Sequence, residues 1–295
     1  MDFVNDLRKI AENELDYYGL THSPIENFIT VLKRWINLRL MLIKPVPRKV
    51  FISRELQSNT SLSTQEQLYL EAVNDKFVRG IDINRHLSTR VFRKDYPDYL
   101  FIDWGIHHLH LNTIADLKDP TFIKRSEKLL FVMVNGTKVF FIDVRSHTER
   151  YVFAQKALLQ IIHVNWPEII RRYRINAISV EKEFSAKETH EMRKAGCMIT
   201  HKMGDAVYIS PGGGVTSAAT SVRVVDHSDR LISVARDTEK WANDSHRTIL
   251  EQVQKVDQNQ TKVDLHLDLN EKGFFVVDVI SKTGWNIKTQ LSCNI

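Results

Sequence analysis

The sequence predicts an α+β protein with a helical N-terminal region, a small central antiparallel sheet flanked by helices, and a C-terminal α+β unit built on hairpins. Three observations carry this. Ile25, Phe28, Ile29, Leu32, Ile36 and Leu40 recur at helical spacing. LLFVMV and KVFFIDV are two strand-like runs joined by Asn135-Gly136-Thr137, a strong hairpin signal. DLHLDLNEKGFFVVDVIS alternates in the same way and turns at 270–272.

In chain order, residues 2–19 read as a helix closed by Gly19. A second helix starts at THSPIENF, where Ser23 can cap, Pro24 suits the first turn and Glu26 completes a capping box. Pro45 and Pro47 end it. Ser63 and Glu66 open another helix, so residues 1–75 form the helical region. In the domain predicted over 76–175, GIDINRHLS is a short turn or helix and DYLFIDWGIHHLHLN is strand-like. The hairpin follows, then a helix from about 149 that stops near Pro167. In 176–295, SAKETHEMRKAG is a capped helix closed by Gly196. MITHKMGDAVYIS is a hairpin turning at Gly204-Asp205, PGGGVTSAATS is a glycine-rich loop, and a long polar helix spans about 227–255.

Composition sets outer bounds. A chain of 295 residues that is 43 % hydrophobic has room for roughly two domains around a real core. Two cysteines, Cys197 and Cys293, do not make a disulfide framework. The N-terminal stretch is too polar for a signal peptide, and no run approaches the length of a membrane span, so the expectation is a cytoplasmic protein with no membrane partner. A net charge of +5 suits an anionic partner such as RNA.

Chemistry concentrates at the hairpin's end. Strand alternation puts Phe140, Ile142 and Val144 on one face and Asp143, Arg145 and His147 on the other. In WGIHHLHL, His108 and His110 share a face opposite His107. If the two strands are neighbours, His108, His110, Arg145 and His147 converge. Arg150 and Tyr151 follow at once, and Lys124, Arg125 and Lys128 stand at the entrance to the preceding strand. This set suits phosphodiester cleavage without a cofactor or metal. A histidine takes the proton of a ribose 2′-hydroxyl, a second histidine or a tyrosine protonates the leaving oxygen, and arginines stabilise the phosphate. His147 or His108 would be the base, Tyr151 or His110 the acid, and Arg145 and Arg150 the phosphate holders. Gly212, Gly213 and Gly214 could add backbone N–H groups for phosphate, although the loop lacks a P-loop lysine.

GIHHLHL, KLLFVMVNGTKVFFIDVRSH and ERY together resemble the RelE/ParE superfamily, within the larger group of barnase, EndoU and colicin-type ribonuclease folds. The resemblance covers roughly 100–155. It implies an mRNA-cutting toxin of a toxin–antitoxin or phage-defence system, with a neutralising protein partner and catalytic groups at Arg145, His147, Arg150 and Tyr151. The chain departs from that pattern in its greater length and in its histidine cluster.

Two further readings stay open. One is a non-enzymatic nucleic-acid- or protein-binding subunit of a larger complex. The other is a metal-dependent nuclease using the histidine cluster, since His108 and His110 at i and i+2 resemble strand ligand pairs. The run Lys33, Arg34, Arg39, Lys44, Arg48, Lys49 and Arg54 reads as a helix face and loop, and His163, Asn165 and Trp166 as a packing stop.

Overall fold

The computed structural model describes residues 1–93, 96–176, 182–271 and 273–287. It is a mixed α+β fold with N-terminal helices and several small antiparallel sheets. The helices are α1 (Phe3–Tyr17), α2 (Phe28–Met41), α3 (Arg54–Gln57), α4 (Thr64–Arg79), α5 (Tyr99–Trp104), α6 (Ala157–Asn165), α7 (Pro167–Ile170), α8 (Ala186–Lys194), α9 (Val222–Asp244) and α10 (His246–Gln254). The strands are β1 (Lys49–Ile52), β2 (Ile106–His110), β3 (Lys128–Asn135), β4 (Lys138–Ser146), β5 (Arg174–Ile175), β6 (His201–Met203), β7 (Ala206–Tyr208), β8 (Leu265–Asn270), β9 (Gly273–Asp278) and β10 (Gly284–Asn286). No described helix is long and apolar enough to cross a membrane.

The chain divides into two compact units, Met1–Leu40 with Val224–Ile295, and Met41–Arg223. This differs from three consecutive regions at 1–75, 76–175 and 176–295. The reason is pairing across those boundaries. β1 lies parallel to β4, and Met203, Ala206 and Tyr208 of the β6–β7 hairpin join the same core as the central hairpin.

In the first unit, α1 buries Phe3, Leu7, Ala11 and Leu15, a stripe at helical spacing. Asp6 reaches β8, where its carboxylate accepts the Leu267 N–H at 3.1 Å. The hairpin β8–β9 forms as the alternation predicts, and β10 adds to it. Lys272 of the expected turn lies outside the described residues, as does Cys293.

In the second unit, the main sheet has the order β1-β4-β3-β2. The hairpin of β3 and β4 pairs as expected, and β2 is its antiparallel neighbour. A bulge interrupts β4: Phe131 faces Asp143 but Val132 faces Phe141, so Ile142 is an extra residue. This corrects the simple alternation. Phe140, Ile142, Asp143 and Arg145 share the face of Leu129, Phe131 and Met133, whereas Val144 faces Leu130 on the other side. The first face packs under α6 and α7, with Leu158, Ile162 and Trp166 in its core.

Four elements also differ from expectation. Residues 99–104 are helical, with Asp98 accepting the Phe101 N–H as a cap and Gly105 (φ +69°) turning the chain into β2. Leu100 to Trp104 are all buried, so no periodicity marks them as helix. α2 starts at Phe28 because Ser23 and Glu26 form a turn and Arg34 takes the Glu26 carboxylate at 2.5 Å. α6 starts at Ala157, and the polar helix breaks at Ser245 into α9 and α10. The capping boxes at Ser63–Glu66 and Ser185–Glu188 are both complete.

Candidate functional site

The site stands at one end of the covered sheet face, where apolar packing gives way to polar groups. Across the sheet, His108 aligns with Phe131 and Asp143, and His110 aligns with Leu129 and Arg145. The bulge makes these rows possible, because it brings Asp143 and Arg145 to the histidine side. Just past β4, the His147 N–H donates to the Glu127 carbonyl at 2.6 Å, holding the chain against the start of β3. The His147 ring then stacks on His110, with centroids 6.4 Å apart and planes 17° from parallel. Phe153 wedges in from a 3-10 turn at Val152–Ala154. Its ring lies 4.8 Å from His108, 5.9 Å from His147 and 6.3 Å from Phe131.

The three imidazoles differ in access. His108 and His110 are 6 % and 5 % exposed, whereas His147 is exposed. Burial, with His108 and Arg125 nearby, lowers the His110 pKa to about 4, and its Nδ1 accepts the Ser126 N–H at 3.4 Å. It is therefore a neutral ring at pH 7 that can donate from Nε2. Burial also lowers the pKa of His108, against the pull of Asp98, whose Oδ2 lies 3.4 Å from His108 Nδ1. That distance comes without hydrogen-bond alignment, and His108 Nδ1 is a buried atom with no hydrogen-bond partner. On the opposite face His107 is buried, and desolvation lowers its pKa to about 3. Behind the cluster His86 donates from Nδ1 to the His110 carbonyl at 3.0 Å, because the Lys76 ammonium occupies its Nε2 at 2.8 Å.

The cationic residues fare unequally. Arg145 is closed off by Asp143 at 2.8 Å and Glu149 at 3.1 Å, so its guanidinium does not stand free for phosphate as expected. Arg150 is exposed and lies over the Tyr151 ring at 5.2 Å. Tyr151 is half-buried, has the left-handed φ of 55° and sits 5.6 Å from His190. Lys124 and Arg125 are exposed; Arg125 donates to Thr89 Oγ1 at 3.2 Å. Lys128 is half-buried opposite Ser146.

The glycine loop does other work. Gly212 N–H donates to Asp103 O at 2.7 Å, Gly213 N–H to Ser210 O at 3.0 Å, and Gly214 N–H to Ile102 O at 3.0 Å. The three amides expected to cradle phosphate are thus spent, two on clamping the loop to α5 and one on a turn within the loop. Three arginines of the early basic run are engaged internally: Arg34 pairs with Glu26, Arg39 with Glu14, and buried Arg48 donates to three backbone carbonyls, whereas Lys44, Lys49 and Arg54 are exposed. His163 meets the Tyr208 hydroxyl at 2.9 Å, Asn165 bonds Glu55, and Trp166 packs on Phe140, which is the packing role expected of them.

Sequence reasoning missed four residues around the site: Asp98, Asp103, Phe153 and Arg193. Asp98 was legible only as a helix cap, and the helix itself was hidden in a continuous apolar run. Phe153 reads as one more apolar residue of a helical stripe. Nothing in the sequence pairs Asp103 with Arg193, whose Nε donates to Asp103 Oδ2 at 2.8 Å in the core.

Among the described residues, no three or more His, Cys, Asp or Glu side chains are grouped to hold a metal ion. No family model, curated protein or solved structure matches the chain.

Proposed function

We propose that the unit Met41–Arg223 is a RelE/ParE-like endoribonuclease that cleaves RNA without a bound metal. The observation that carries the reading is the His110–His147 stack, an exposed imidazole backed by a buried neutral one, with exposed Arg125 close to His110 and exposed Arg150 following His147 in the chain. His147, the exposed ring, takes the 2′-hydroxyl proton. The 2′-oxygen attacks phosphorus and the bond to the 5′-oxygen breaks. That oxygen takes its proton from Tyr151, because His110, with a pKa of about 4, carries no acidic proton at neutral pH. Arg125 and Arg150 hold the phosphate in place of Arg145. The biological setting of this reading is a toxin with a neutralising protein partner.

One observation favours a second reading, a nucleic-acid- or protein-binding module without catalysis. Two of the three imidazoles are buried, and Arg145 is neutralised by two carboxylates. Labelled RNA and DNA, incubated with the protein with and without EDTA, separate the two readings. The ribonuclease reading expects RNA cleavage that survives EDTA and falls about 100-fold or more in His147→Ala. Binding without cleavage sinks it in favour of the module. Cleavage abolished by EDTA also overturns it and points to a metal-dependent nuclease. Growth arrest on expression, relieved by the same substitution, is an independent check on the toxin setting.

A further inference from the structure

We infer that Asp103 and Arg193 are a positioning pair for the histidine site, fixing through Phe153 the spacing between the His108 and His147 rings. The inference rests on the ribonuclease reading for its consequence, but its geometry stands separately.

Arg193 comes from α8 and Asp103 from α5, and both side chains are almost wholly buried. The guanidinium makes three contacts that need its planar fork. Nε donates to Asp103 Oδ2 at 2.8 Å, Nη1 donates to the Phe153 carbonyl at 2.6 Å, and the plane lies 4.2 Å from the centre of the Trp104 ring. Asp103 is itself fixed from two more sides. Its carboxylate lies 3.6 Å from His201 Nε2, which accepts the Trp104 Nε1–H, and its carbonyl accepts the Gly212 N–H. The end of α5 is therefore a rigid post, and Arg193 ties the turn at 152–154 to it.

That turn needs tying. Tyr151, at its start, holds a left-handed backbone without being glycine, a conformation that persists only where surrounding contacts impose it. The bond from Arg193 falls on the carbonyl of Phe153, whose ring touches both His108 and His147. Burying an ion pair is a poor way to gain stability, since apolar packing of equal volume does as well. Reaching a carboxylate and a carbonyl at once from fixed directions is something an arginine does and a lysine, with one point charge, does not. The arrangement is one that would hold the wedge between buried His108 and His147, and so fix the position of the ring that takes the 2′-hydroxyl proton.

The test compares Arg193→Lys, Asp103→Asn and Phe153→Leu in the full chain. Imidazole Cε1–H resonances of His108 and His147 report the ring current of Phe153 at fixed pH, and kcat and KM report cleavage. Amide resonances of the distant β3–β4 turn, Val134–Lys138, report an intact fold. The expected result is that Arg193→Lys shifts both imidazole signals toward their Phe153→Leu positions while the turn signals stay. Its kcat falls about 10- to 100-fold with KM little changed. Unmoved imidazole signals in folded Arg193→Lys overturn the inference. If Arg193→Lys and Asp103→Asn do not fold, Phe153→Leu decides: imidazole signals unchanged in that variant show that the wedge sets nothing, and shifted ones support it. Should the wild type leave RNA uncut, the ribonuclease reading falls, and the resonances still decide whether Arg193 positions the rings.

Discussion

His86, His107 and His110 are buried as neutral rings, and desolvation is the first cause in each case. Their ordinary value is 6.5, lowered to about 4 for His86 and His110 and about 3 for His107. Below 6.5 the unfolded chain takes up protons that the folded chain refuses, so stability is fully present above that value and falls as pH drops toward 4. At pH 5 a single group lowered from 6.5 to about 4 costs on the order of 2 kcal/mol. Denaturant unfolding at pH 7 and pH 5 should show His110→Gln losing less stability than the wild type, by about that amount; equal losses would contradict a buried neutral His110. Arg193→Ala should cost about 3–5 kcal/mol in the same assay at pH 7, because it leaves Asp103 charged and unpaired in the core. At this scale the sequence offered candidates and not states. His147 and His110 could be read as partners from strand alternation. Their difference in exposure could not, because it depends on packing between residues distant in sequence, such as His86 and Ser126 against His110.

Elements formed where local signals were strong. The Asn135-Gly136-Thr137 turn, the Ser63 and Ser185 capping boxes and the Gly204-Asp205 hairpin all stand as predicted. Ser63→Ala should lower stability by about 1 kcal/mol, read as a shift in the denaturation midpoint, since it removes the hydroxyl that accepts the Glu66 N–H. The bulge at Ile142 was not legible, because inserting one residue leaves the apolar run KVFFIDV unbroken. Yet it decides the site, for without it Arg145 would face away from His110. The glycine loop shows the same limit. A Cβ on Gly212 would lie 2.6 Å from Gly105 N and equally close to Ile102 O, so Gly212→Ala should cost about 1–3 kcal/mol by overpacking α5. A mobile phosphate loop would tolerate that substitution, and calorimetry of the variant distinguishes the two roles.

At the scale of the whole molecule, both ends of the sequence build one unit while the middle builds the other. The first unit is tied across the chain's length by Asp6, which accepts from Leu267 N–H and from His266 at 3.1 Å. Asp6→Ala strands a buried N–H and should destabilise the protein by about 1–3 kcal/mol, with α1 and β8 amides losing hydrogen-exchange protection together. Protection lost in α1 alone would show that the contact carries little coupling. Three consecutive regions were expected because composition and local pattern follow chain order. Units follow burial instead, and β1 finds its partner in β4, eighty-nine positions on for Lys49 and Lys138.

The sequence alone determined the α+β class, the hairpins and two capped helices, because alternation, turn chemistry and capping act within a few residues. The tertiary structure decided which histidines are buried, that Arg145 is closed by carboxylates, that the glycine amides are spent, and that Arg193 meets Asp103 beneath Phe153. These facts turn on desolvation and on contacts between residues distant in sequence, and neither leaves a periodic trace along the chain.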